Sequence, residues 1–356
     1  MTNCTQSCVE FLPLHRRRVQ SEFTGGAVSS DGGALLLRQV DRRLGLTEAL
    51  DKLIPDPRNP LYITHSQQSL LRQRIYALAL GYEDLNDHAD LRLDPAIQTS
   101  VERDEALASA STLCRFENRI DRKVAVDCHR LMVDQFIVSF DCPPKRLILD
   151  VDATDDPVHG SQVGRFFHGY YGHYCFLPLY VFCGDQLLVS YLRPSKIDGA
   201  KHTWGILSLL VTYLRKAWPG VQIILRGDSG FCRFKMLKWC ERHGVGYVVG
   251  IAKNSRVNQR IEQKMREAEQ AATQSNEKIR WFSEFDYQAH SWDEARRVIA
   301  KVEVTTKGRN PRYIVTNLKG KPKDLYDKMY CPRGEMENQI KHVSSGRSCA
   351  VLNMKM

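Results

Sequence analysis

What this chain of 356 residues lacks narrows its class first. No segment approaches eighteen consecutive apolar residues, the length a helix needs to cross a bilayer, so no membrane span is expected. The opening MTNCTQSCVEFLPLHRRR lacks the basic-then-apolar order of a secretory signal, which points to a cytoplasmic protein. Its 11 cysteines are odd in number, scattered and without a single Cys-x-x-Cys pair. Structural zinc is therefore not expected, and the thiols read as small buried or idle groups in a reducing compartment. Internal repeats and low-complexity tracts are also missing.

What is present describes a globular protein long enough for two or three domains, with 43% apolar and 9% aromatic residues to build cores. The formal charge is +10, from 51 Lys and Arg against 41 Asp and Glu. Such an excess suits a polyanion, most commonly nucleic acid, although a solvated basic surface would look the same.

The chain changes texture near residue 146. Residues 1 to about 23 are mixed, carry the basic tract HRRR and read as a loosely ordered arm. From Asp31 the apolar spacing turns helical, and a proline-rich break at 54–60 is followed by further helices to about Phe140. The expectation is an all-helical DNA-binding region over 1–140. Within it, ASASTLCRFENRI resembles the second half of a helix-turn-helix, with Arg115, Asn118 and Arg119 on one exposed face. Arg115 and Arg119 are the expected DNA contacts there, although short helices with a few arginines are often simply solvated.

After residue 146, short β-branched runs alternate with amphipathic helices. RLILDVD is a strand, CFLPLYVFCGDQLLVSYLRP a hairpin, HTWGILSLLVTYLRKAW a crossover helix and VQIILRGDSG a strand ending in a charged turn. That order predicts a ribonuclease-H-like α/β domain with a mixed sheet over 146–356. Residues 281–318 return to strand texture and read as a small inserted β unit, and a last helix runs from about Pro322 to Lys341.

Three places put carboxylates where chemistry is plausible. In LILDVDATDDPVHG a buried strand ends in Asp150, Asp152, Asp155 and Asp156, with the first two on one face. Clustered carboxylates repel and lose hydration, so they persist mainly where a cation joins them. Oxygen-only ligands suit Mg²⁺, with Mn²⁺ able to substitute. The second place is Asp228 in RGDSGF, after the run VQIIL; an aspartate there also fits a simple helix cap. The third is YCPRGEMENQIK, where Tyr330, Arg333, Glu337 and Lys341 follow at three, four and four residues, also the pattern of a solvated ion-pair face.

As an ordered set, LDVDATDD, RGDSGF and YCPRGEMENQIK resemble the signatures of DDE transposases, specifically the insertion-sequence 1380 family, related to the insertion-sequence 4 group. The resemblance spans roughly residues 20 to 341. It implies Asp152, Asp228 and Glu337 as catalytic residues and metal ligands, with Asp150 the alternative to Asp152. It further implies Tyr330, Arg333 and Lys341 as DNA-phosphate contacts, although the related group's lysine position is occupied here by Ser344. Implied partners are double-stranded DNA, as element terminal inverted repeats and target, and a second copy of the chain in an active homodimer. The implied reaction is Mg²⁺-dependent strand cleavage followed by strand transfer. Trp281 and Trp292 could stack on an unpaired base, core packing being the plainer role. After Lys341 the helical periodicity stops, whereas family members look as though they continue. The expectation is therefore a truncated chain, impaired in transposition. Its alternative function is a DNA-binding protein that occupies element ends without cutting and represses transposition.

Overall fold

A computed structural model describes residues 8–14, 17–22 and 29–344, with side chains over 29–340. Two compact units divide in sequence between Val124 and Ala125.

The first unit is helical, but it opens on an antiparallel pair, β1 (Cys8–Leu14) with β2 (Arg17–Glu22), where the sequence suggested a loose arm. Helices α1 (Ala34–Leu44), α2 (Leu46–Leu53), α3 (Gln67–Ala79), α4 (His88–Leu91), α5 (Pro95–Val101) and α6 (Ala110–Glu117) follow. Ser66 and Asp94 cap α3 and α5 through their side-chain oxygens, which satisfies backbone N–H groups left open at a helix start. Ala34, Tyr76, Ala77, Leu91, Ile97 and Leu107 form the core. Buried Asp41 is matched by Tyr76 Oη at 2.9 Å and Thr47 N at 2.8 Å.

Helix α7 (Arg122–Val138) straddles the division. The sequence placed it at the end of the helical region, yet its Val133 and Phe136 pack into the same core as Leu147 and Leu149, so most of it belongs with the second unit.

That unit is built on a nine-stranded mixed sheet. Strand β3 (Arg146–Ala153) pairs in parallel with β9 (Gln222–Gly227) and antiparallel with β7 (Leu179–Cys183), which is followed by β8 (Gln186–Tyr191). Helix α8 (Thr203–Ala217) carries the chain from β8 to β9, and α9 (Phe234–Arg242) from β9 to parallel β10 (Gly246–Ile251). The strand order β8-β7-β3-β9-β10 is that of the ribonuclease-H-like sheet expected from the sequence.

Residues 281–318 do form strands, but not a separate unit. Beyond α10 (Ser255–Arg260) and α11 (Glu262–Ser275), β11 (Ile279–Tyr287), β12 (Arg296–Thr305) and β14 (Arg312–Thr316) extend the main sheet from β10, with short β13 (Gly308–Arg309) beside β12. The reason is burial: Val298, Ile299, Ala300, Val302, Ile314 and Val315 are fully enclosed, so these strands need cover on both faces. Trp292 is buried in the core and Trp281 packs against it, the plainer of their two expected roles.

A second, three-stranded sheet in the order β4-β6-β5 leaves the end of β3: β4 (Asp156–Pro157), β5 (Phe166–His168) and β6 (His173–Phe176). The last helical segment is not uniform. It begins as α12 (Pro322–Asp324), widens to a π-turn over Leu325–Tyr330, tightens to a 3₁₀ turn over Cys331–Arg333 and resumes as α13 (Gly334–Ser344). Pro332 offers no backbone N–H, so the regular ladder cannot run through it. Among the described residues no helix is long and apolar enough to cross a membrane.

Candidate active site at the ends of strands β3 and β9

Strand β3 sorts its side chains by alternation. Leu147, Leu149 and Val151 are buried in the core, while Asp150 and Asp152 share the opposite face. Its parallel partner sets what stands beside them. Asp150 is in register with Arg226 and Val151 with Gly227, an offset of 226 − 150 = 76 residues. The same offset carries Asp152 to Asp228, since 228 − 152 = 76. Both aspartates therefore come directly after the last position at which β3 and β9 pair, side by side at that end of the two strands.

The RGDSG motif works residue by residue. Arg226 grips Asp150 with two nitrogens, the Nη2–Oδ2 distance being 2.6 Å, and donates Nη1 to the Met329 carbonyl at 2.8 Å. Burial pushes the Asp150 carboxyl up, while Arg226 beside it favours the ionised form. Asp150 is thereby engaged by an arginine of β9, whereas the β9 position that falls beside Asp152 is another aspartate. Gly227 has no room for a methyl: a Cβ would lie 3.0 Å from Val151 Cγ2 and 3.2 Å from Phe231 Cβ. Asp228 does cap the next turn, accepting from Gly230 N at 2.8 Å through Oδ1.

The irregular helix brings the third group. Arg333 Nη1 is 3.6 Å from Asp152 Oδ2, and its Nη2 is 2.6 Å from Glu337 Oε1. One guanidinium thus bridges two of the three predicted carboxylates. Asp152 is only 16% exposed at its side chain, and its carboxyl is pushed up to about 6, first by burial and then by the charge of Asp228. Arg333 opposes the shift and Glu337 adds to it. The π-turn directs Tyr330 toward β10: a Cβ on Gly250 would fall 2.7 Å from Tyr330 Oη and 2.9 Å from Ser229 N, so glycine at 250 lets the helix and the β9 turn meet there. Lys341 lies in the last turns of α13, and its side chain, like Ser344's, is outside the described residues.

Beside Asp228 opens a pocket of about 230 Å³ lined by Ser229, Gly250, Lys253, Arg312, Tyr313 and Tyr330. Among the described residues neither Lys253 nor Arg312 has an ion-pair partner. Burial, and then the charges of Arg312 and Lys301, hold the Lys253 ammonium below its usual range. Unmatched cations facing one pocket favour an anion. The sequence reading did not single out either residue; both sit at strand ends beside Asp228, a placement that only the sheet order reveals.

The donors fit a hard divalent ion. Asp152, Asp228 and Glu337 offer only oxygens, burial and then the charge of Asp228 push the Asp152 carboxyl up, and Arg333 stands as a cation between Asp152 and Glu337. Among the described residues no three His, Cys, Asp or Glu side chains converge on one point, and Arg333 bridges Asp152 and Glu337.

In the first unit the predicted DNA contacts part ways. Arg115 on α6 is exposed, with Nη2 on Thr112 Oγ1 at 3.1 Å. Arg119 is instead engaged internally, paired with Asp56 at 2.6 Å and lying over Phe116. Asn118 caps α6 through a bond to the Cys114 carbonyl at 2.8 Å.

Comparison with known proteins adds three findings. A family model described as transposase DDE domain, group 1, matches residues 11–349. No curated protein matches. A cryo-EM structure of the piggyBac transposase synaptic complex with hairpin DNA is similar at a TM-score of 0.41 and 12% identity, over 90% of this chain and 68% of that one.

Proposed function

The chain belongs to the transposase DDE domain group 1 family, and from that premise we propose that it cuts and joins DNA at the ends of an insertion sequence. Within the family, the reading as an insertion-sequence 1380 transposase is supported by its ordered motifs LDVDATDD, RGDSGF and YCPRGEMENQIK. The observation that carries the reading is the register of β3 on β9. It sets Asp152 and Asp228 abreast at one edge, where Arg333 and Glu337 meet them.

Asp152, Asp228 and Glu337 would hold Mg²⁺, with Mn²⁺ as a substitute; a divalent ion bound by them would supply positive charge to an anionic phosphodiester under attack by an oxygen nucleophile and to the departing oxygen. The chain's own residues do the positioning. When DNA enters, Arg333 exchanges its carboxylates for a phosphate, which its planar fork suits. Tyr330, fixed against Gly250, borders the same path, and Lys253 and Arg312 hold a neighbouring backbone phosphate in their pocket. Water is the nucleophile in the nicking step and the freed 3′-hydroxyl in strand transfer. Arg115 of α6 and Lys341 add backbone contacts to double-stranded terminal-repeat and target DNA. Two copies form the active complex, in the cytoplasm.

The test is Mg²⁺-dependent nicking of a duplex carrying the element's terminal repeat. Cleavage by the native chain and its loss in Asp228→Asn support the proposal. Duplex binding without any cleavage would replace it with the non-cutting repressor.

A further inference from the structure

Next to the active site, the small sheet carries an exposed surface that the reaction does not use. From Pro157 to Gly184 the chain has no acidic residue, while it holds six aromatic rings between Phe166 and Phe176. Strand pairing sorts them. Phe166 lies opposite buried Cys175, whereas Phe167 lies opposite Tyr174 on the outward face, their rings edge to face at 5.7 Å. Tyr170 at the tip is 86% exposed, Phe167 58% and Tyr174 49%. Arg165 sits 4.5 Å over the Tyr174 ring, and Lys196 5.6 Å over Phe166.

The base of this sheet touches the site. Asp155, three residues past Asp152, accepts at Oδ2 from His173 Nε2 at 2.7 Å, anchoring β6 to the end of β3. Tyr171 is close enough for the charges of Asp155 and Asp152, after burial, to push its phenol up to about 12. Exposed rings are costly in water unless something covers them. Here the cover must be flat, since rings and guanidinium present faces and edges, and anionic, since Arg165 and Lys196 lie against the rings of a hairpin that itself holds no carboxylate, Asp156 on the neighbouring β4 being the sheet's one acid. A stretch of unpaired nucleotides meets both demands.

We propose that the β5–β6 hairpin is a stacking platform for unpaired DNA bases beside the cleavage site, with Phe167, Tyr170 and Tyr174 receiving bases and Arg165 and Lys196 their phosphates. The inference deepens the transposase reading and rests on it for the source of the strand. The bases are those freed next to the cut. Binding itself needs no catalysis, so the two readings fail separately.

The experiment titrates the full chain into a fluorescein-labelled single-stranded oligonucleotide, and into the same strand annealed to its complement, with anisotropy as the readout. Phe167→Ala/Tyr170→Ala is expected to weaken single-strand binding about tenfold or more and to change duplex binding by less than about twofold. Phe167→Tyr/Tyr170→Phe, which keeps the rings, is expected to bind as the native chain does. Asp228→Asn is expected to keep single-strand binding. Equal single-strand affinity of the double-alanine and native proteins would overturn the platform, as would an equal loss on duplex. So would a change in oligomeric state by sedimentation with single-strand affinity intact, which would make the face an interface between copies. Nicking by the native chain with no effect of the alanines leaves the catalytic reading standing alone; lost stacking in a chain that never nicks does the reverse.

Discussion

Two sets of carboxylates in the second unit are handled in opposite ways. In one set each acid has a cation of its own: Asp150 of β3 has Arg226, Glu241 of α9 has Arg296 at 2.7 Å, and Glu303 of β12 has Lys301 at 2.5 Å and Lys278 at 2.9 Å. Despite burial, Lys301 and Lys278 hold the Glu303 carboxyl down to about 2. At the ends of β3 and β9, Asp152 and Glu337 share a single Arg333, Asp228 adds a further negative charge beside Asp152, and burial together with that charge pushes the Asp152 carboxyl up to about 6. Asp150 and Asp152 are two residues apart on one face of one strand, so sequence proximity does not distinguish them. What differs is the partner strand, which supplies an arginine at one level and another aspartate at the next. The acids with cations of their own are neutralised within the fold, and the set that shares one arginine is the one proposed to take a metal.

That contrast can be broken most severely at the metal-binding level. Asp152→Asn or Asp228→Asn should lower Mg²⁺-dependent nicking by roughly a thousandfold or more, in a chain whose urea unfolding shows no loss of stability. At the paired level the effects should reverse. Arg226→Met leaves Asp150 buried and unmatched and should cost about 3–5 kcal/mol in urea unfolding, whereas Asp150→Asn/Arg226→Met should recover to within about 1 kcal/mol of the native chain.

The pH dependence sharpens the same difference. A carboxyl near 6 in the folded state and 3.8 unfolded binds its proton more tightly when folded. Asp152 therefore adds stability below pH 3.8 that is lost as pH rises through about 6, up to about 3 kcal/mol in the metal-free protein. Asp152→Asn should flatten that part of the stability–pH curve, and an unchanged slope would place the carboxylate in a compensated site. The smallest effect is steric. Gly250→Ala should cost about 1–3 kcal/mol by pressing Tyr330 and the β9 turn apart, with nicking falling alongside.

Much of the architecture was legible because its signals are local. LILDVD alternates and VQIIL is a short apolar run before a turn, so both strands and their terminal aspartates could be placed from the residues alone. What the sequence hid depends on partners far along the chain. Asp150 and Asp152 look equivalent until Arg226, 76 residues away, falls into register with one of them. Residues 281–318 read as strands but not as part of the main sheet, since only the pairing of β14 with β10 shows where they attach. The even spacing of Tyr330, Arg333 and Glu337 suggested one helical face; the π-turn and the 3₁₀ turn at Pro332 reset the phase, sending Tyr330 to Gly250 and Arg333 to Asp152. The aromatic hairpin of 166–176 was missed because its strands are three and four residues long, too short for periodicity to register.

The central claim is that Asp152 and Asp228, not the acid two residues before Asp152, are where the protein takes its metal. Counting Mn²⁺ bound per chain by electron paramagnetic resonance, with a terminal-repeat duplex present, tests this most directly. Asp152→Asn should lose bound Mn²⁺ while Asp150→Asn/Arg226→Met retains the native amount. Native Mn²⁺ binding in Asp152→Asn, with loss in the Asp150 variant, would contradict the account.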